Sequence, residues 1–391
     1  MSSHKMRRLA IITTHPIQYY APLFQLLQQR NYIAIKVFYT WGQSALPKHD
    51  PGFGKAIAWD IPLLDGYPYE FMENTSAQPG SHHGKGIVNP TLIPGITDWH
   101  PDAILVFGWL YDSHLKAMRH FKNKIPVLFR GDSTLLDEKP GIKSLLRFAF
   151  LRWVYRFADY ALYPGSNNKA YFKKYGFSEE QLIFAPHAVD NERFAASRTD
   201  EAQILRAQLG LTTDDVLILY AGKFEEKKAP ALLVDAFIEL QNPNCHLLMV
   251  GNGQLENALK QSAAGKPNIH FMDFQNQTYM PVLYQACDLF CLPSKGPNET
   301  WGLAVNEAMA SNKAILVSNK VGCAVDLVHH GQNGAIFNSG DKGSLLKALK
   351  TLTGQKTILT ALGKNSGEKI KDWNFTKIAE AIEYLAAKPK N

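Results

Sequence analysis

The chain has 391 residues, of which 46% are hydrophobic and 20% are charged. This length predicts two domains, and the composition is that of an ordinary globular protein rather than a disordered or fibrous one. The longest apolar runs end within about ten residues, short of the 18 or so that a membrane-spanning helix needs, and the N-terminal apolar stretch is too short for a signal peptide.

Charge is spread unevenly along the chain, whose formal net charge is +7. Residues 1–193 carry 22 Lys and Arg against 16 Asp and Glu, whereas residues 194–391 carry 20 against 19. The basic first half suggests an anionic acceptor or a membrane surface as a partner. The four cysteines lack Cys-x-x-Cys and zinc-ligand spacings, which predicts buried thiols in a reducing compartment. We therefore expect a cytoplasmic protein without a nucleic-acid partner, and peripheral contact with the inner face of the membrane remains open.

The first half alternates strand-like apolar runs with helical patterns. Arg8–Thr14 is predicted to be a buried parallel strand, and Pro16 is predicted to open the helix that follows. Further strand-like runs lie at residues 33–39, 103–107, 127–129, 160–163 and 182–184. This alternation predicts a doubly wound α/β domain.

Residues 41–94 interrupt that pattern with a segment rich in Gly, Pro, Asn and His. Long loops within compact domains are usually functional or disordered, so we predict an irregular active-site loop region. Its His82 and His83 are candidates for contact with an acceptor, and a solvated loop is the simpler interpretation.

A basic, aromatic-rich segment spans residues 139–159. At about 100° per residue, Lys143 and Arg147 project from one side of a helix. Arg152 and Arg156 project from nearly the opposite side. Because the charges do not share one face, we predict a mostly packed helix with extended arginines, and membrane docking is the alternative.

The α/β alternation restarts in the second half. Residues 195–215 are polar and helical, as expected of a linker that leads to a new domain. Strand-like runs follow at residues 216–220, 246–250, 269–271, 289–292 and 314–317. We predict an N-terminal domain over residues 1–193 and a C-terminal domain over residues 194–371.

The stretch around residue 300 places one carboxylate on a loop and a second one inside a helix. Glu299 follows a predicted strand in a Gly, Pro and Asn loop, and Glu307 lies about a turn and a half into the next helix. A helix N-terminus offers unpaired N–H groups and a positive dipole end, so the backbone at Trp301, Gly302 and Leu303 is suited to holding a phosphate. Two glutamates eight residues apart are common, so this motif needs support from elsewhere in the chain.

Two lysines at the end of an earlier strand provide such support. Gly222 is predicted to let the backbone turn, and Lys223 and Lys228 bring two cations to the carboxyl edge of the sheet, where α/β domains bind ligands. Paired lysines suit a diphosphate. Alternatively, Glu225 and Glu226 pair with these lysines in a solvated turn.

Two other strand ends belong to the same domain. The sequence Val250-Gly-Asn-Gly-Gln-Leu255 lacks the third glycine of a dinucleotide fingerprint, which weakens an oxidoreductase interpretation. Phe274 and Gln275 are candidates for a stacking face and an amide that contact a nucleotide base. A core position for Phe274 is the alternative.

In this order and at these spacings, the elements resemble the retaining glycosyltransferases of family 4, which have the GT-B fold. The family's Gly-Arg-Leu-x-x-x-Lys-Gly segment is matched by four residues: Gly222, Lys223, Phe224 and Lys228. Ala229 replaces the final glycine, and lysine replaces arginine, which keeps the charge but loses bidentate geometry. The family's Glu-x7-Glu element matches residues 299–310.

The resemblance implies two Rossmann-like domains facing a central cleft, with residues 372–391 packing back on the first domain. It implies that Glu299 contacts donor-sugar hydroxyls and that Glu307 accepts hydrogen bonds from a ribose. Lys223 and Lys228 would meet the charge that develops on the diphosphate. The implied activity is retaining transfer of a sugar, typically a hexose, from a nucleotide diphosphate sugar to a hydroxyl acceptor in glycan, polysaccharide or glycolipid biosynthesis.

The first half departs from the family pattern at two strand ends. Where many members have a glycine-rich loop, this chain has Thr13-Thr-His-Pro-Ile-Gln-Tyr-Tyr20. His15 and Gln18 are therefore candidates for acceptor or sugar binding, and a structural histidine at a helix start is an equal alternative. Arg130 and Asp132 are further acceptor candidates, with a helix cap as the alternative for Asp132.

No Asp-x-Asp sequence occurs in the chain, so we predict no metal and no cofactor besides the nucleotide-sugar co-substrate. The acceptor is expected to be a glycan or a lipid-linked hydroxyl. Two other functions remain open: an epimerase of the same fold that acts on the nucleotide sugar alone, and a non-catalytic nucleotide-sugar-binding protein.

Overall fold

The structure is a computed structural model, and it describes residues 6–42, 48–50 and 55–388. Its chain divides into two compact units. The first unit takes its residues from the ranges 1–48, 62–186 and 375–391, and the second from 49–61 and 187–374. Parts of the predicted loop region 41–94 and of the predicted segment 372–391 lie outside the described residues.

The first half of the chain alternates strands and helices, as predicted. In chain order its described elements are β1 (Arg8–Thr13), α1 (Ala21–Arg30), β2 (Ala34–Tyr39), β3 (Lys48–Asp50), β4 (Lys55–Ile57), β5 (Tyr69–Phe71), α2 (Leu92–Trp99), β6 (Ala103–Phe107), α3 (Asp112–Phe121), β7 (Val127–Arg130), α4 (Ile142–Tyr155), β8 (Tyr160–Tyr163), α5 (Ser166–Lys174) and β9 (Leu182–Phe184).

Seven of these strands form one parallel sheet in the order β5-β2-β1-β6-β7-β8-β9, and β3 pairs with β4. All five residues of β6 are buried, as is the run Leu9–Thr13 of β1. Continuous apolar runs of this kind are typical of parallel strands covered by helices on both faces. The sheet therefore forms the centre of the first core.

The second half continues in the same way. Its elements are α6 (Asn191–Ala195), α7 (Thr199–Gln208), β10 (Val216–Ala221), α8 (Pro230–Leu240), β11 (Cys245–Val250), α9 (Glu256–Ser262), β12 (Ile269–Met272), α10 (Met280–Ala286), β13 (Leu289–Leu292), α11 (Leu303–Ala310), β14 (Ala314–Ser318), α12 (Ala324–Leu327), β15 (Gly334–Phe337), α13 (Lys342–Thr353), α14 (Lys356–Ile370) and α15 (Phe375–Ala387).

A six-stranded parallel sheet organises the second unit, in the order β12-β11-β10-β13-β14-β15. The chain order reverses beside β10, so β10 and β13 flank a topological switch point. In open α/β sheets, ligands bind outside the carboxyl ends of the strands at such a point. The predicted pair of Rossmann-like domains is confirmed.

The compact units differ from the predicted domain limits. The division falls between Pro186 and His187 instead of after residue 193, and residues 49–61 join the second unit. The polar helix α7 is not a free linker, because Arg206 binds Asp288 at 3.0 Å inside the second unit. Trp373 also lies in the second unit, and the first unit takes up the chain again at Phe375.

The C-terminal helix α15 belongs to the first unit. Its Glu383 accepts two hydrogen bonds from the guanidinium of Arg30 in α1, at 2.8 and 2.9 Å. This fork-shaped pair joins the two helices at a defined register.

Two sequence predictions about helices are wrong. Pro16 does not open a helix, because turns occupy the following residues and α1 begins at Ala21. The helix α4 is not packed along its whole length: Leu151 and Tyr155 in its second half are buried, whereas its first two turns are largely exposed. The loop region 41–94 is not wholly irregular either, since it supplies β5 to the large sheet.

We expect a buried histidine to make the stability of the first unit depend on pH. His114 is fully buried, with Nε2 2.8 Å from the Thr40 hydroxyl and Nδ1 3.0 Å from the carbonyl oxygen of Gly108. Burial lowers the pKa of His114 to about 4, because the neutral ring is favoured in the folded chain.

In the unfolded chain the imidazole of His114 is protonated near its ordinary pKa of 6.5, whereas in the folded chain it stays neutral down to about pH 4. The contribution of His114 to the free energy of unfolding is therefore complete above pH 6.5 and is lost as the pH falls toward 4. We expect the difference in unfolding free energy between the wild type and His114→Gln to shrink by about 2 kcal/mol between pH 7 and pH 5. Urea unfolding of both proteins at pH 7 and pH 5 measures it. A difference independent of pH would contradict the prediction.

Candidate functional site

The predicted loop glutamate and one predicted lysine meet beside the switch point of the second sheet. Lys228 Nζ lies 2.5 Å from Glu299 Oε2, and the Ser294 hydroxyl donates to the same oxygen at 2.7 Å. The side chains of Lys228 and Glu299 are 22% and 8% exposed. Because both charges are mostly shielded from water, their attraction is stronger than that of a surface pair.

The N-terminus of α11 lies next to this ion pair. Gly302 caps the helix with φ +95°, and a Cβ there would lie 3.7 Å from Glu299 Oε1 and only 2.9 Å from Val321. Gly302 and Leu303 are partly exposed. The first N–H groups of an α-helix have no partner within the helix, so this end is suited to an anion.

The loop between Glu299 and α11 is held by backbone contacts with residues 322 and 323. Gly322 N donates to the carbonyl oxygen of Glu299 at 3.0 Å, and Cys323 N donates to that of Trp301 at 2.9 Å. A Cβ on Gly322 would lie 1.8 Å from the carbonyl oxygen of Thr300, so only glycine permits this approach. The carboxylate of Glu299 is thus carried by an ordered loop.

The negative charge of Glu299 acts on two buried neighbours. Burial raises the pKa of Tyr220 well above its usual range, and Glu299 raises it further. Burial likewise raises the pKa of the Cys323 thiol, and the charge of Glu299 raises it further. Tyr220 stays protonated and donates its hydroxyl to the carbonyl oxygen of Lys223 at 2.7 Å, which fixes the backbone that carries the predicted diphosphate-binding lysines.

The glutamates next to these lysines do not form the contacts of a simple solvated turn. Glu225 pairs with Lys227 at 3.3 Å, and Glu226 pairs with Lys295 at 2.8 Å. Lys228 instead reaches Glu299, 71 residues further along the chain. Lys228 therefore pairs with neither Glu225 nor Glu226, and its contact with a diphosphate stays a prediction.

The second glutamate of the motif is deeper than the first. Glu307 is 3% exposed, and its Oε2 accepts a hydrogen bond from the Tyr284 hydroxyl at 2.8 Å. Trp301 is also buried, and its indole donates to Asn306 at 2.9 Å. Asn306 in turn donates to the carbonyl oxygen of His187 at 2.9 Å. The predicted contact of Glu307 with a ribose stays a prediction, and any contact of Trp301 with a phosphate would come from its backbone.

In the turn after β10, the residue with an unusual backbone conformation is Ala229 and not, as the sequence had predicted, Gly222. Gly222 does not have a positive φ, so backbone freedom does not explain the glycine there. The strained position is Ala229, with φ +50° and ψ 44°, immediately before Pro230 opens α8. Left-handed backbone is unfavourable for a residue with a Cβ.

We expect Ala229→Gly to raise the free energy of unfolding by up to about 1 kcal/mol, because glycine adopts this conformation without a steric penalty. Chemical denaturation measures the change. Ala263→Gly is a control: Ala263 is buried and has no positive φ, so that substitution should lower stability. A loss of stability in Ala229→Gly would show that strain at this turn is unimportant.

The predicted base-contact residues lie after β12. Phe274 is half-buried rather than a core residue, and its N–H donates to Asn252 Oδ1 at 2.9 Å. Gln275 is half-buried, and its amide donates to the carbonyl oxygen of Asp273 at 3.1 Å. An aromatic face and an amide are therefore both present at this strand end.

A tryptophan from the first half of the sequence joins these residues. Trp59 lies edge-to-face with Phe274, with ring centroids 6.3 Å apart. Hydrogen bonds hold the residue on each side of it: Asn276 Nδ2 donates to the Ala58 carbonyl oxygen at 2.6 Å, and Thr278 N donates to the Asp60 carboxylate oxygen Oδ1 at 3.2 Å. Trp59 was not a candidate, because no local pattern links it to residues more than 200 positions away.

The candidates of the first unit have mainly internal partners. Arg130 is 2% exposed, and its two terminal nitrogens donate to the carbonyl oxygens of Ala185 and Pro186 at 2.8 and 3.0 Å. Such a guanidinium supports the fold, so Arg130 is a poor candidate for direct acceptor contact. Asp132 is exposed and does not cap a helix, because α4 begins ten residues later.

His15 and Gln18 are partly exposed in the turn after β1. His15 Nδ1 lies 2.9 Å from the Thr14 hydroxyl, and its ring contacts Trp41 edge-on at 6.1 Å. Both residues stay candidates for acceptor binding.

Over the described ranges, no group of three His, Cys, Asp or Glu side chains is arranged to hold a metal ion. Within the same ranges, none of the helices has the length and apolarity needed to cross a membrane. Independence of metal stays a prediction.

Residues 201–369 match the family model described as glycosyl transferases group 1. The chain is 25% identical over 318 residues to the sulfoquinovosyl transferase SQD2 of Arabidopsis thaliana. The aligned region covers 77% of this chain and 60% of that protein. This chain is also 27% identical over 227 residues to the D-inositol 3-phosphate glycosyltransferase of Nocardia farcinica. That aligned region covers 54% of this chain and 49% of the relative. The chain thus spans about half to 60% of the length of these relatives.

A Campylobacter jejuni relative is covered more completely. It is an α-1,4-N-acetyl-D-galactosaminyltransferase that acts on a diphosphate-undecaprenol-linked glycan, and it is 24% identical over 272 residues, or 68% of this chain and 70% of that protein.

Solved structures show the same fold. Anabaena Alr3699/HepE, in complex with UDP and glucose, superposes with a TM-score of 0.71 at 19% identity, covering 98% of this chain and all of that one. WaaG, a glycosyltransferase of lipopolysaccharide biosynthesis, superposes with a TM-score of 0.67 at 14% identity. The superposition covers 97% of this chain and 99% of WaaG. At these identities the likeness establishes the fold, and the GT-B prediction is confirmed.

Proposed function

We propose that the chain is a retaining, metal-independent member of the glycosyl transferases group 1 family, whose model matches residues 201–369. It would move a sugar from a nucleotide diphosphate sugar to a hydroxyl acceptor. The observation that carries the proposal is the buried contact of Lys228 and Ser294 with Glu299 at the N-terminus of α11. This contact joins a cation, a carboxylate and a helix end beside a topological switch point.

Each part of this arrangement has a role in the proposed reaction. An ammonium group has three donors, so Lys228 can hold Glu299 and still donate to a diphosphate oxygen. Lys223 and the N–H groups at Gly302 and Leu303 would meet the remaining negative charge of the leaving group. Ser294 and Lys228 both occupy Oε2 of Glu299, which leaves Oε1 to accept hydrogen bonds from donor-sugar hydroxyls.

The departing phosphate oxygen would take the proton of the acceptor hydroxyl as that hydroxyl attacks the same face of the sugar. This route needs no separate nucleophile or base. The acceptor would be a glycan or a lipid-linked hydroxyl bound by the first unit, with His15 and Gln18 as candidates. The Campylobacter relative, which acts on an undecaprenol-linked glycan, supports a lipid-linked acceptor and peripheral contact with a membrane.

Thermal unfolding with UDP, GDP, ADP and their sugars tests donor binding. A ligand that binds only the folded chain adds about 2.7 kcal/mol of stability at 100 times its Kd. UDP is the first nucleotide to test, because it is bound in the HepE structure. We expect one nucleotide series to stabilise the chain with or without a metal chelator.

Incubation of the stabilising donor with and without acceptors then separates the possible functions. Transfer with retained anomeric configuration supports the proposal. A new sugar isomer formed from the donor alone would identify an epimerase, and binding with neither transfer nor hydrolysis would identify a non-catalytic binding protein. No observation in the structure favours either of these two.

The half-buried pair of Trp59 and Phe274 is proposed to contact the nucleotide base. We expect Trp59→Ala to weaken binding of the stabilising nucleotide about tenfold, because stacking on an aromatic side chain contributes on the order of 1–3 kcal/mol per base. Isothermal titration calorimetry measures the change. Trp59→Phe keeps an aromatic face and should stay within about threefold of the wild type. Equal affinity for all three proteins would remove Trp59 from the site.

A further inference from the structure

The first two turns of α4 present large apolar side chains to solvent. In the described structure they have no covering element, and the exposed fractions are 82% for Ile142, 68% for Leu145, 69% for Leu146 and 45% for Phe150. Phe150 is also in edge contact with Trp109, with ring centroids 5.5 Å apart, and Trp109 is half-buried. Single exposed apolar residues are normal on a protein surface, but such a cluster indicates an interaction site.

These four residues form one face of the helix. At about 100° per residue they span about 140° of its circumference. The buried residues Leu151 and Tyr155 point to the opposite side, into the first core. The helix therefore has two apolar faces, and only one of them is used by the fold.

Cations lie on both sides of the exposed face. Around the helix axis, Lys143 lies beside Phe150 at one edge of this face and Arg152 lies beside Leu145 at the other edge. Both cations are exposed. Residues 139–158 contain five Lys and Arg and no Asp or Glu. One cation from each of the two groups, Lys143 and Arg152, thus borders the apolar strip, so charges on opposite sides of the helix do not exclude an amphipathic face.

We propose that this face of α4 docks on an anionic lipid surface, with Ile142, Leu145, Leu146 and Phe150 inserted among the lipids and the flanking cations at the headgroups. An apolar strip with basic borders is the pattern of a helix that lies in a membrane interface. A second copy of the chain is a poor occupant, because a symmetric contact would bring ten like charges together. An acidic protein would satisfy the charges but would have to supply an apolar groove for a convex helix.

The surface would bring the first unit to a lipid-linked acceptor, and this consequence rests on the proposed function. The docking itself does not. Sedimentation with vesicles involves neither donor nor acceptor, so its failure would leave the glycosyltransferase proposal intact.

The test is co-sedimentation of the full chain with vesicles of phosphatidylcholine, alone or mixed with phosphatidylglycerol. We expect binding to the mixed vesicles that weakens with added salt, and much less binding to the neutral ones. Leu145→Glu and Leu146→Glu should each lower binding at least about tenfold, because a charge replaces an inserted leucine. Lys143→Gln and Arg152→Gln should each lower it about fivefold.

Ile204→Glu in α7 is the matched control, because Ile204 is 57% exposed but lies in the second unit. It should bind like the wild type. All five substitutions are at exposed positions, and circular dichroism with thermal unfolding verifies that each variant folds. No binding to the mixed vesicles, or equal binding by Leu145→Glu and the wild type, would overturn the proposal. A dimer that dissociates in Leu145→Glu would assign the face to a second copy instead.

Discussion

Replacing Lys228 with methionine should reduce kcat/KM for sugar transfer by about 100- to 1,000-fold, the usual effect of removing one preorganised group that stabilises transition-state charge. Methionine has a similar length and no charge, so the loss reports the ammonium group rather than a cavity. Steady-state kinetics with the donor identified by thermal unfolding measure it.

The neighbouring lysine provides a matched control. Lys227 is 41% exposed and pairs with Glu225 rather than with Glu299, so Lys227→Met should stay within about threefold of the wild type. Similar kcat/KM values for the two variants would show that Lys228 has no role in sugar transfer.

A double substitution separates the structural role of the pair from its catalytic role. Lys228→Met alone leaves the buried carboxylate of Glu299 without its cation, which should cost about 3 kcal/mol of stability. Adding Glu299→Gln removes that charge and should recover most of the stability, because Ser294 can still donate to the amide oxygen. Activity should stay low. Recovery of activity together with stability would show that the pair only supports the fold.

Gly322→Ala should abolish donor-induced stabilisation and lower the free energy of unfolding by about 3 kcal/mol. The new methyl group would lie 1.8 Å from the carbonyl oxygen of Thr300, and neither atom can rotate away, because the backbone fixes the position of both. The loop that carries Glu299 would have to move, which would separate Glu299 from Lys228. Thermal unfolding with and without the donor nucleotide measures both effects.

Gly354→Ala is the control for a glycine substitution in the same unit. Gly354 has φ −65°, and its nearest neighbour for a Cβ is 3.5 Å away, so alanine fits without strain. This variant should keep its response to the nucleotide and gain up to about 1 kcal/mol in stability. An unchanged nucleotide response in Gly322→Ala would show that the loop does not need this close approach.

Sequence patterns alone predicted the layered architecture and both members of the central ion pair. Apolar runs and their Gly or Pro boundaries are local properties, so Ala103–Phe107 and Leu289–Leu292 were located as strands to the residue. Short strands without an apolar run, such as β5, were missed. Lys228 and Glu299 were found through their spacing within motifs, which is also local.

Tertiary structure alone decided which groups surround those residues. Ser294 and Gly322 act through contacts that depend on how β13, β14 and α11 pack, and Trp59 reaches Phe274 across more than 200 residues. Helical periodicity likewise indicated which residues of α4 share a face, but not which face the core covers. Periodicity is set by the geometry of one helix, whereas burial depends on the elements packed against it, so only the folded chain could reveal that the strip from Ile142 to Phe150 is left open.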